Sequence, residues 1–188
     1  MYKEKLKYYP GFPIKGVNFI DIIPLMHDKK VFRSLIADLG KLCASPNIAA
    51  PEARGFLFAS PLLTVCDNVD NIIPVRKKGK LPAADGDLKE VSVIKEYGAD
   101  KLFFRLSDIA AGTASEDAVE VTFFDDVLAT GGTALGVAKA LEECSVKIPD
   151  GRVLPVRVKD FVFVAEVGGL SGRASLEAVA PVKSLIHL

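Results

Sequence analysis

The 188-residue chain lacks tryptophan and contains only three cysteines and two histidines. His27 and His187 lie far apart without a carboxylate or thiolate partner at ligand spacing, which argues against a metal ion held by the protein itself. Cys43, Cys66 and Cys144 are widely spaced and form no CxxC pair. They therefore indicate reduced core thiols in a cytoplasmic protein rather than a disulfide framework.

Net charge and long apolar runs are also missing. Lys plus Arg and Asp plus Glu both number 24, and a formal net charge of zero argues against a general nucleic-acid binder. No apolar run reaches the length of a membrane span, and residues 1–12 carry no signal-like apolar segment. We expect a soluble, single-domain protein that has neither nucleic acid nor membrane as a partner.

The most informative stretch runs from Val121 to Thr133, VTFFDDVLATGGT. Its apolar start predicts a buried strand, and apolar residues at helical spacing after Gly132 predict a helix. The first N–H groups of a helix have no partner within it and carry partial positive charge, so this turn can hold a phosphate. The turn contains no lysine, and the GxxxxGK[ST] pattern of a Walker loop is absent.

Two acids, Asp125 and Asp126, stand directly before the turn, where they would repel a phosphate. Carboxylates make sense at this place if they accept hydrogen bonds from sugar hydroxyls close to the phosphate. The acid pair and the turn together therefore point to a ribose 5-phosphate. The alternative is that the two acids only end a strand.

Strand and helix patterns alternate around this stretch. Strands are predicted at 47–51 and 71–75. Between them come Glu52-Ala53-Arg54-Gly55 and then a helix through about Cys66, and two further strands are predicted at 153–158 and 161–167. Asp28 is a candidate cap for an earlier helix. The alternation predicts an α/β fold with a doubly wound, mainly parallel sheet, whose working loops lie at the carboxyl ends of the strands.

A basic run, Arg76 to Lys80 (RKKGK), follows the strand at 71–75. Taken alone it is as compatible with a solvated loop as with a binding site. Because the neighbouring strand ends in Glu-Ala-Arg-Gly, we expect Arg54 and the basic run at the same edge as the phosphate turn. Arginines hold phosphate oxygens through two donors and lysines add point charge, so a second anionic group is predicted there.

Residues 91–95 and 102–106 alternate like the arms of a β-hairpin whose tip is 96–100. A hairpin that rises from the active edge would suit a lid that closes over substrates and excludes water. Glu96 at this tip could equally be an ordinary exposed acid.

The strand, DDVLATGGT and helix together resemble the phosphoribosyl pyrophosphate (PRPP) signature of the type I phosphoribosyltransferases. Six blocks in order extend the resemblance to the adenine-specific members over nearly the whole chain: FPIKGVNFIDIIPL, PEARGFLFASPL, VRKKGKLP, KEYGADKL, FFDDVLATGGTALG and GLSGRASLEAVAPVKSLIHL. The resemblance implies a purine-salvage enzyme that moves the ribose 5-phosphate of PRPP to N9 of adenine, giving AMP and pyrophosphate. It also implies Mg²⁺ bound through PRPP and a homodimer.

The resemblance further implies one domain with three parts: a hood at 1–25 and about 168–188, a core at about 28–167 and a lid at about 79–106. It assigns the ribose to Asp125 and Asp126. It assigns the 5-phosphate to the turn residues Ala129, Thr130, Gly131, Gly132 and Thr133. It assigns the pyrophosphate to Glu52, Ala53, Arg54, Arg76, Lys77 and Lys80, with the Glu52–Ala53 peptide in the place of the family's cis bond.

For the base, the resemblance assigns contacts to Asn18, Phe19, Ile20 and Val127, with Phe19 stacking on the ring. It assigns the catalytic step to Glu96, which would handle a purine proton, to Tyr97 over the reaction centre, and to Arg54.

Several alternatives stay open at this point. From spacing alone, Phe19 fits an ordinary core aromatic, and Ile20 stands where relatives often carry a basic residue. Ala129 favours adenine, because relatives that use hypoxanthine or guanine carry an acid there. The competing functions are a phosphoribosyltransferase for another base and a non-catalytic PRPP-binding regulator.

Overall fold

The computed structural model describes residues 2–12, 14–16, 18–95 and 98–188. The strands are β1 (Lys7–Pro10), β2 (Asn18–Asp21), β3 (Asn47–Pro51), β4 (Asn71–Lys77), β5 (Leu88–Lys95), β6 (Gly98–Arg105), β7 (Val119–Leu128), β8 (Ser145–Lys147), β9 (Val153–Glu166) and β10 (Val182–His187). The helices are α1 (Lys29–Gly40), α2 (Arg54–Ala59), α3 (Leu62–Val65), α4 (Gly132–Glu142) and α5 (Gly172–Glu177).

The main sheet has the strand order β10-β9-β7-β3-β4-β6-β5, and β8 pairs with β9 at its side. Strands from β10 to β4 run parallel to their neighbours, whereas β6 and β5 form an antiparallel hairpin beside β4. The carboxyl ends of β3, β4 and β7 therefore meet at one edge, which is where α/β sheets place their ligands.

Helices cover both faces of this sheet, and β7 shows why. Val121 and Phe123 are buried in the apolar cluster that includes α4, whereas Phe124 is buried in the cluster that includes α1. Full burial of such a side chain stabilises the fold by about 1.5–3 kcal/mol. A strand with apolar side chains on both faces of the sheet therefore needs helices packed against both faces. The predicted α/β, doubly wound and mainly parallel fold is confirmed.

Most of the local predictions are also confirmed. The strands predicted at 47–51 and 71–75 are β3 and β4, and Asp28 caps α1 by accepting hydrogen bonds from the amides of Lys30 and Val31. The single helix predicted after Glu52-Ala53-Arg54-Gly55 and through about Cys66 is instead two helices, the first of which already begins at Arg54. Pro61 lies between α2 and α3, and a proline has no N–H with which to continue a helix.

The two strands predicted at 153–158 and 161–167 are wrong, because β9 is a single strand. It passes through a bulge at Lys159, where its register against β7 shifts by one residue. Asp160, which lies in the gap between the two predicted strands, is buried and is paired with Lys183 Nζ at 2.8 Å. A paired charge can be buried within a strand, so the predicted gap does not occur.

The hairpin prediction is confirmed by the pairing of β5 with β6 from Leu88 to Lys95. Because β6 also pairs with β4, and Val91 and Phe104 are fully buried, the base of the hairpin belongs to the core. Glu96 and Tyr97, at its tip, lie outside the described residues.

Residues of the predicted hood lie on two different sheets. β1 and β2 form a separate two-stranded sheet, whereas β10, from the C-terminal tail, lies beside β9 in the main sheet. The division into hood, core and lid remains a prediction. No helix in the described part of the chain is both long and apolar enough to cross a membrane.

The three cysteines are free thiols, as predicted. Cys43 and Cys144 are buried, while Cys66 is partly exposed. Burial raises the pKa of the Cys43 thiol to about 12, so this thiol stays protonated and unreactive at neutral pH.

Candidate active site

The acid pair lies near the carboxyl end of β7. Asp126 is 5% exposed, and its amide donates a 2.8 Å hydrogen bond to Asp125 Oδ1. Burial, and then repulsion by Asp126, raises the pKa of the Asp125 carboxyl well above its ordinary value. Two acids held this close in a partly closed site favour a ligand that donates hydrogen bonds, as sugar hydroxyls do.

The turn after β7 leads directly into α4. Gly131 caps the helix with φ of +76°, a left-handed conformation that glycine adopts without strain. Its carbonyl oxygen accepts the Leu135 amide at 2.9 Å, while Ala129 and Thr130 are exposed. The first amides of a helix have no partner within it, so the start of α4, which follows the acid pair directly, is a place where a phosphate can bind.

Facing the acids is the turn that joins β3 to α2. The Glu52–Ala53 peptide bond is cis, as the resemblance implied. Gly55 lets this turn approach closely, because a Cβ at its position would lie 3.0 Å from Asp125 Oδ1. The chain from β3 is thereby packed directly against the acid pair of β7.

Arg54 connects three parts of the site. Its Nε lies 2.7 Å from Asp126 Oδ2, and its guanidinium carbon lies 5.1 Å from the ring centre of Phe19. Arg54 Nη1 is buried and has no hydrogen-bond partner among the described residues. A buried guanidinium donor without a partner is costly, and an anionic oxygen would satisfy it.

The basic run is divided between two environments. Lys77 lines the cavity beside the acids. Arg76 instead donates a 2.7 Å hydrogen bond from Nε to Glu52 Oε2 and a second bond to the Lys80 carbonyl. Burial opposes the charge on Glu52, but Arg76 and the Lys77 amide outweigh it and hold the pKa of Glu52 below its ordinary value. Arg76 therefore fixes the turn through Glu52.

A cavity of 230 Å³ joins these groups. Its lining residues come from β3, α2, β4, the hairpin, β7 and the start of α4: Pro51, Glu52, Ala53, Arg54, Lys77, Val93, Leu102, Asp125, Asp126 and Thr133. Seven of these were predicted as site residues from the sequence: Glu52, Ala53, Arg54, Lys77, Asp125, Asp126 and Thr133. Arg76 and Lys80 are absent from the described lining, as are the turn residues Ala129, Thr130, Gly131 and Gly132, which lie next to it.

Val93 and Leu102, on the two arms of the hairpin, were not predicted as site residues. Each belongs to an alternating strand pattern and reads as core, and both are in fact buried. Their position in the cavity wall depends on how the hairpin packs against the sheet. In the sequence, the alternating pattern of β5 and β6 is the only signal for this position.

The predicted base-binding residues lie on β2 and β7. The Phe19 ring is partly buried between Arg54 and Phe12, whose ring meets it edge-on at 5.2 Å. Asn18 is exposed and Val127 is partly buried. Ile20 is only 8% exposed and packs in the apolar cluster on the α1 side, and in β2 it is paired with Tyr8 of β1.

Together, the fold and the site define a phosphoribosyltransferase: a mainly parallel sheet whose carboxyl edge carries an acid pair, a glycine phosphate turn and a facing arginine. Comparison with known proteins narrows this class, and the chain belongs to the adenine phosphoribosyltransferase family. It is 35% identical over 189 residues to the adenine phosphoribosyltransferase of Maridesulfovibrio salexigens, covering 99% of this chain and 98% of the relative. No protein-family model matches the chain.

Solved structures give the same family. Adenine phosphoribosyltransferase from Thermoanaerobacter pseudethanolicus is 36% identical with a TM-score of 0.79, covering 100% of this chain and 98% of that one. The Saccharomyces cerevisiae enzyme, complexed with D-2,5-dideoxy-2,5-imino-altritol 1,6-bisphosphate and adenine, is 32% identical with a TM-score of 0.74. That match covers 96% of this chain and 94% of the yeast chain.

Proposed function

We propose that this chain transfers the 5-phosphoribosyl group of PRPP to N9 of adenine, releasing AMP and pyrophosphate in purine salvage. The observation that carries the proposal is the convergence of the acid pair, Arg54 and Thr133, which follows the two glycines of the turn, around one cavity. A ligand that fits must carry hydroxyls between two anionic groups, and PRPP has this form.

In this proposal the ribose hydroxyls bind Asp125 and Asp126, and the 5-phosphate binds the amides from Ala129 to Thr133. The pyrophosphate lies between Arg54 and Lys77, where the unpaired Nη1 of Arg54 gains an anionic partner. Because the reaction breaks the bond between C1 and pyrophosphate, positive charge develops on the ribose ring. Fixing the ring and neutralising the leaving group are then the main tasks of the site.

Magnesium fits the proposed site as a companion of the substrate. The cavity offers the carboxylates of Glu52, Asp125 and Asp126, which are the hard oxygen donors that Mg²⁺ prefers. Among the described residues, no group of three or more His, Cys, Asp or Glu side chains is placed to hold an ion. Mg²⁺ commonly binds through one or two carboxylates and substrate phosphates, and on PRPP it would neutralise the charge of the leaving pyrophosphate.

For the base, we propose that adenine stacks on Phe19, with Asn18, Ile20 and Val127 around it. In the structure the Arg54 guanidinium lies near this ring. When adenine binds, Phe19 would therefore contact both the base and Arg54. Alternatively, Arg54 would move away from Phe19 as its guanidinium turns to the pyrophosphate. Glu96 is proposed to handle the purine proton and Tyr97 to cover the reaction centre; Arg76 and Lys80 complete the basic edge.

A cytoplasmic location and a homodimer are also proposed. Free, largely buried thiols support the first, because such thiols suit a reducing compartment. Exposed Leu57 and Leu63 on the neighbouring helices α2 and α3 support the second. Light scattering of the purified protein after size-exclusion chromatography should give twice the monomer mass.

The deciding experiment is an assay with PRPP, Mg²⁺ and a panel of bases that follows pyrophosphate release. Adenine should be turned over with the highest kcat/KM. Turnover of hypoxanthine or guanine without adenine would refute the base assignment. Binding of PRPP without turnover of any base would indicate the regulator instead.

A further inference from the structure

The C-terminal helix α5 lies directly against the phosphate turn. A Cβ at Gly172 would be 2.1 Å from the carbonyl oxygen of Ala129 and 3.0 Å from the carbonyl carbon of Thr130. From the other side, a Cβ at Gly131 would be 3.3 Å from Gly172 Cα. The two segments thus touch backbone to backbone, and any side chain at Gly172 must displace the turn or α5.

Arg173, the next residue, ties α5 to the sheet. Its Nε donates a 2.7 Å hydrogen bond to Glu166 Oε1, its Nη2 bonds Glu166 Oε2, and its Nη1 donates to the Val182 carbonyl at 2.9 Å. Such a two-donor contact fixes direction as well as distance.

Glu166 connects the Arg173 contact to the turn that follows β7. It is the last residue of β9 and is paired in register with Leu128, the last residue of β7, from which the turn begins. The Val167 amide also donates to the Leu128 carbonyl at 2.9 Å. The strand end that holds Arg173 is therefore joined to the strand end that starts the turn.

The contact is shielded enough to hold its geometry. Glu166 is 9% exposed, and the Arg173 hydrogen bonds hold its pKa below the ordinary value, so the carboxylate stays charged at neutral pH. Leu176, also on α5, is fully buried in the cluster that contains Leu128 and Ala134. Charge pairing and apolar packing both seat α5 behind the turn.

We infer that Gly172 and Arg173 are positioning residues, which set the backbone of the turn from Ala129 to Gly131 so that its amides converge on the 5-phosphate. The inference rests on the proposed function, and neither residue is among those that line the cavity. Amide donors bind an anion well only when they point at one place, and displacements near 1 Å can cost up to about a hundredfold. Support from α5 therefore acts on ligands that carry the 5-phosphate.

The first test is Gly172→Ala. Its methyl group should raise both the KM for PRPP and the Kd for AMP about tenfold, while the KM for adenine and kcat change less than about twofold. The matched control is Gly112→Ala, at an exposed glycine with open space around it, which should leave all four constants unchanged. Thermal unfolding of both variants shows whether they are folded.

The second test does not crowd the turn, and it decides the matter if Gly172→Ala fails to fold. Arg173→Lys keeps the charge but loses the two-donor contact with Glu166, so the KM for PRPP should rise about threefold to tenfold. The control Glu177→Gln removes only the outer ion pair of Arg173, at 2.9 Å on the surface, and should leave the KM unchanged.

Three outcomes would overturn the inference: unchanged affinity for AMP in Gly172→Ala, equal weakening of AMP and adenine, or the same rise in KM for Glu177→Gln as for Arg173→Lys. Failure of the proposed function is a different result. It would appear as a wild-type chain that turns over no base with PRPP, whatever the variants do.

Discussion

The two sides of the cavity are built differently. The proposed ribose side consists of Asp125, Asp126 and the turn before α4, held by buried strands and backed by α5. The proposed pyrophosphate side ends in Lys77 and Lys80, whose side chains are exposed. Side chains on the proposed ribose side are already ordered before a ligand binds, whereas exposed lysines lose conformational entropy only on binding.

We therefore expect the two sides to have different roles, one in binding the ligand and the other in the reaction. In the proposed function, a rigid ribose side would hold the sugar with little further ordering cost, so its loss should weaken binding of every ribosyl ligand. We expect the proposed pyrophosphate side and the hairpin tip to act on charge that moves during the reaction. Changes there should fall on kcat or on the salt dependence of binding.

Removing both acids should have the largest effect. The double variant Asp125→Asn, Asp126→Asn should lower kcat/KM for PRPP by about a thousandfold or more, because amides accept hydrogen bonds less strongly and leave Arg54 without its counter-charge. Steady-state kinetics and calorimetric binding of PRPP measure this. The control Asp150→Asn removes a surface acid paired with Arg152 and should have no effect. Intact PRPP affinity in the double variant would contradict the sugar-holding role.

The next largest effect should come from the hairpin tip. Glu96→Gln should lower kcat about a hundredfold through loss of proton transfer, with PRPP affinity nearly unchanged. Its matched control is Glu90→Gln, on the same hairpin, whose carboxylate pairs with Lys101 at 2.8 Å. An unchanged kcat in Glu96→Gln would remove this residue from the chemistry.

Much of the ribose side could be predicted from the sequence because its signals are local. The strand, the two acids and the glycine turn follow one another within thirteen residues, and the structure places them as one continuous unit. Arg54 and Lys77 were also predicted correctly to lie near the acids, since parallel strands bring their carboxyl ends to one edge.

Features that depend on distant partners could not be predicted. Two separate strands were predicted on either side of Asp160. The structure shows one strand, in which Asp160 is paired with Lys183, 23 residues later in the chain. Arg76 reads as a phosphate ligand, yet in the structure its Nε holds Glu52. The contact of Gly172 with Ala129 likewise spans more than forty residues, and no local pattern signals it.

A substitution at Lys77, on the proposed pyrophosphate side, should have an effect of intermediate size. Lys77→Ala should raise the KM for PRPP about tenfold at low salt and less at high salt, because an exposed charge is screened by salt. Lys78→Ala, one residue further along the exposed run, is the matched control and should change the KM little. Equal effects for the two lysines would mean that the loop contributes only diffuse charge.

The smallest effect concerns stability on the ribose side. Because the pKa of Asp125 is raised in the folded state, folding is most favourable while this carboxyl is protonated, and stability is lost as the pH rises above roughly 4 towards the folded pKa. Asp125→Asn carries no such charge. It should therefore unfold at a higher temperature than the wild type, by a few degrees at pH 7 and by less at pH 5.

Differential scanning fluorimetry from pH 5 to pH 8 measures this difference, with PRPP turnover recorded on the same samples. Asp150→Asn is the control of opposite sign, because hydrogen bonds from Arg152 lower the pKa of Asp150 and its removal gives no gain that grows with pH. A higher unfolding temperature together with lost activity would mean that the ribose side keeps a costly buried acid for binding. A lower unfolding temperature at every pH would instead mean that the Asp125 carboxylate holds the fold together, and the contrast between the two sides would then reflect stability as well as binding.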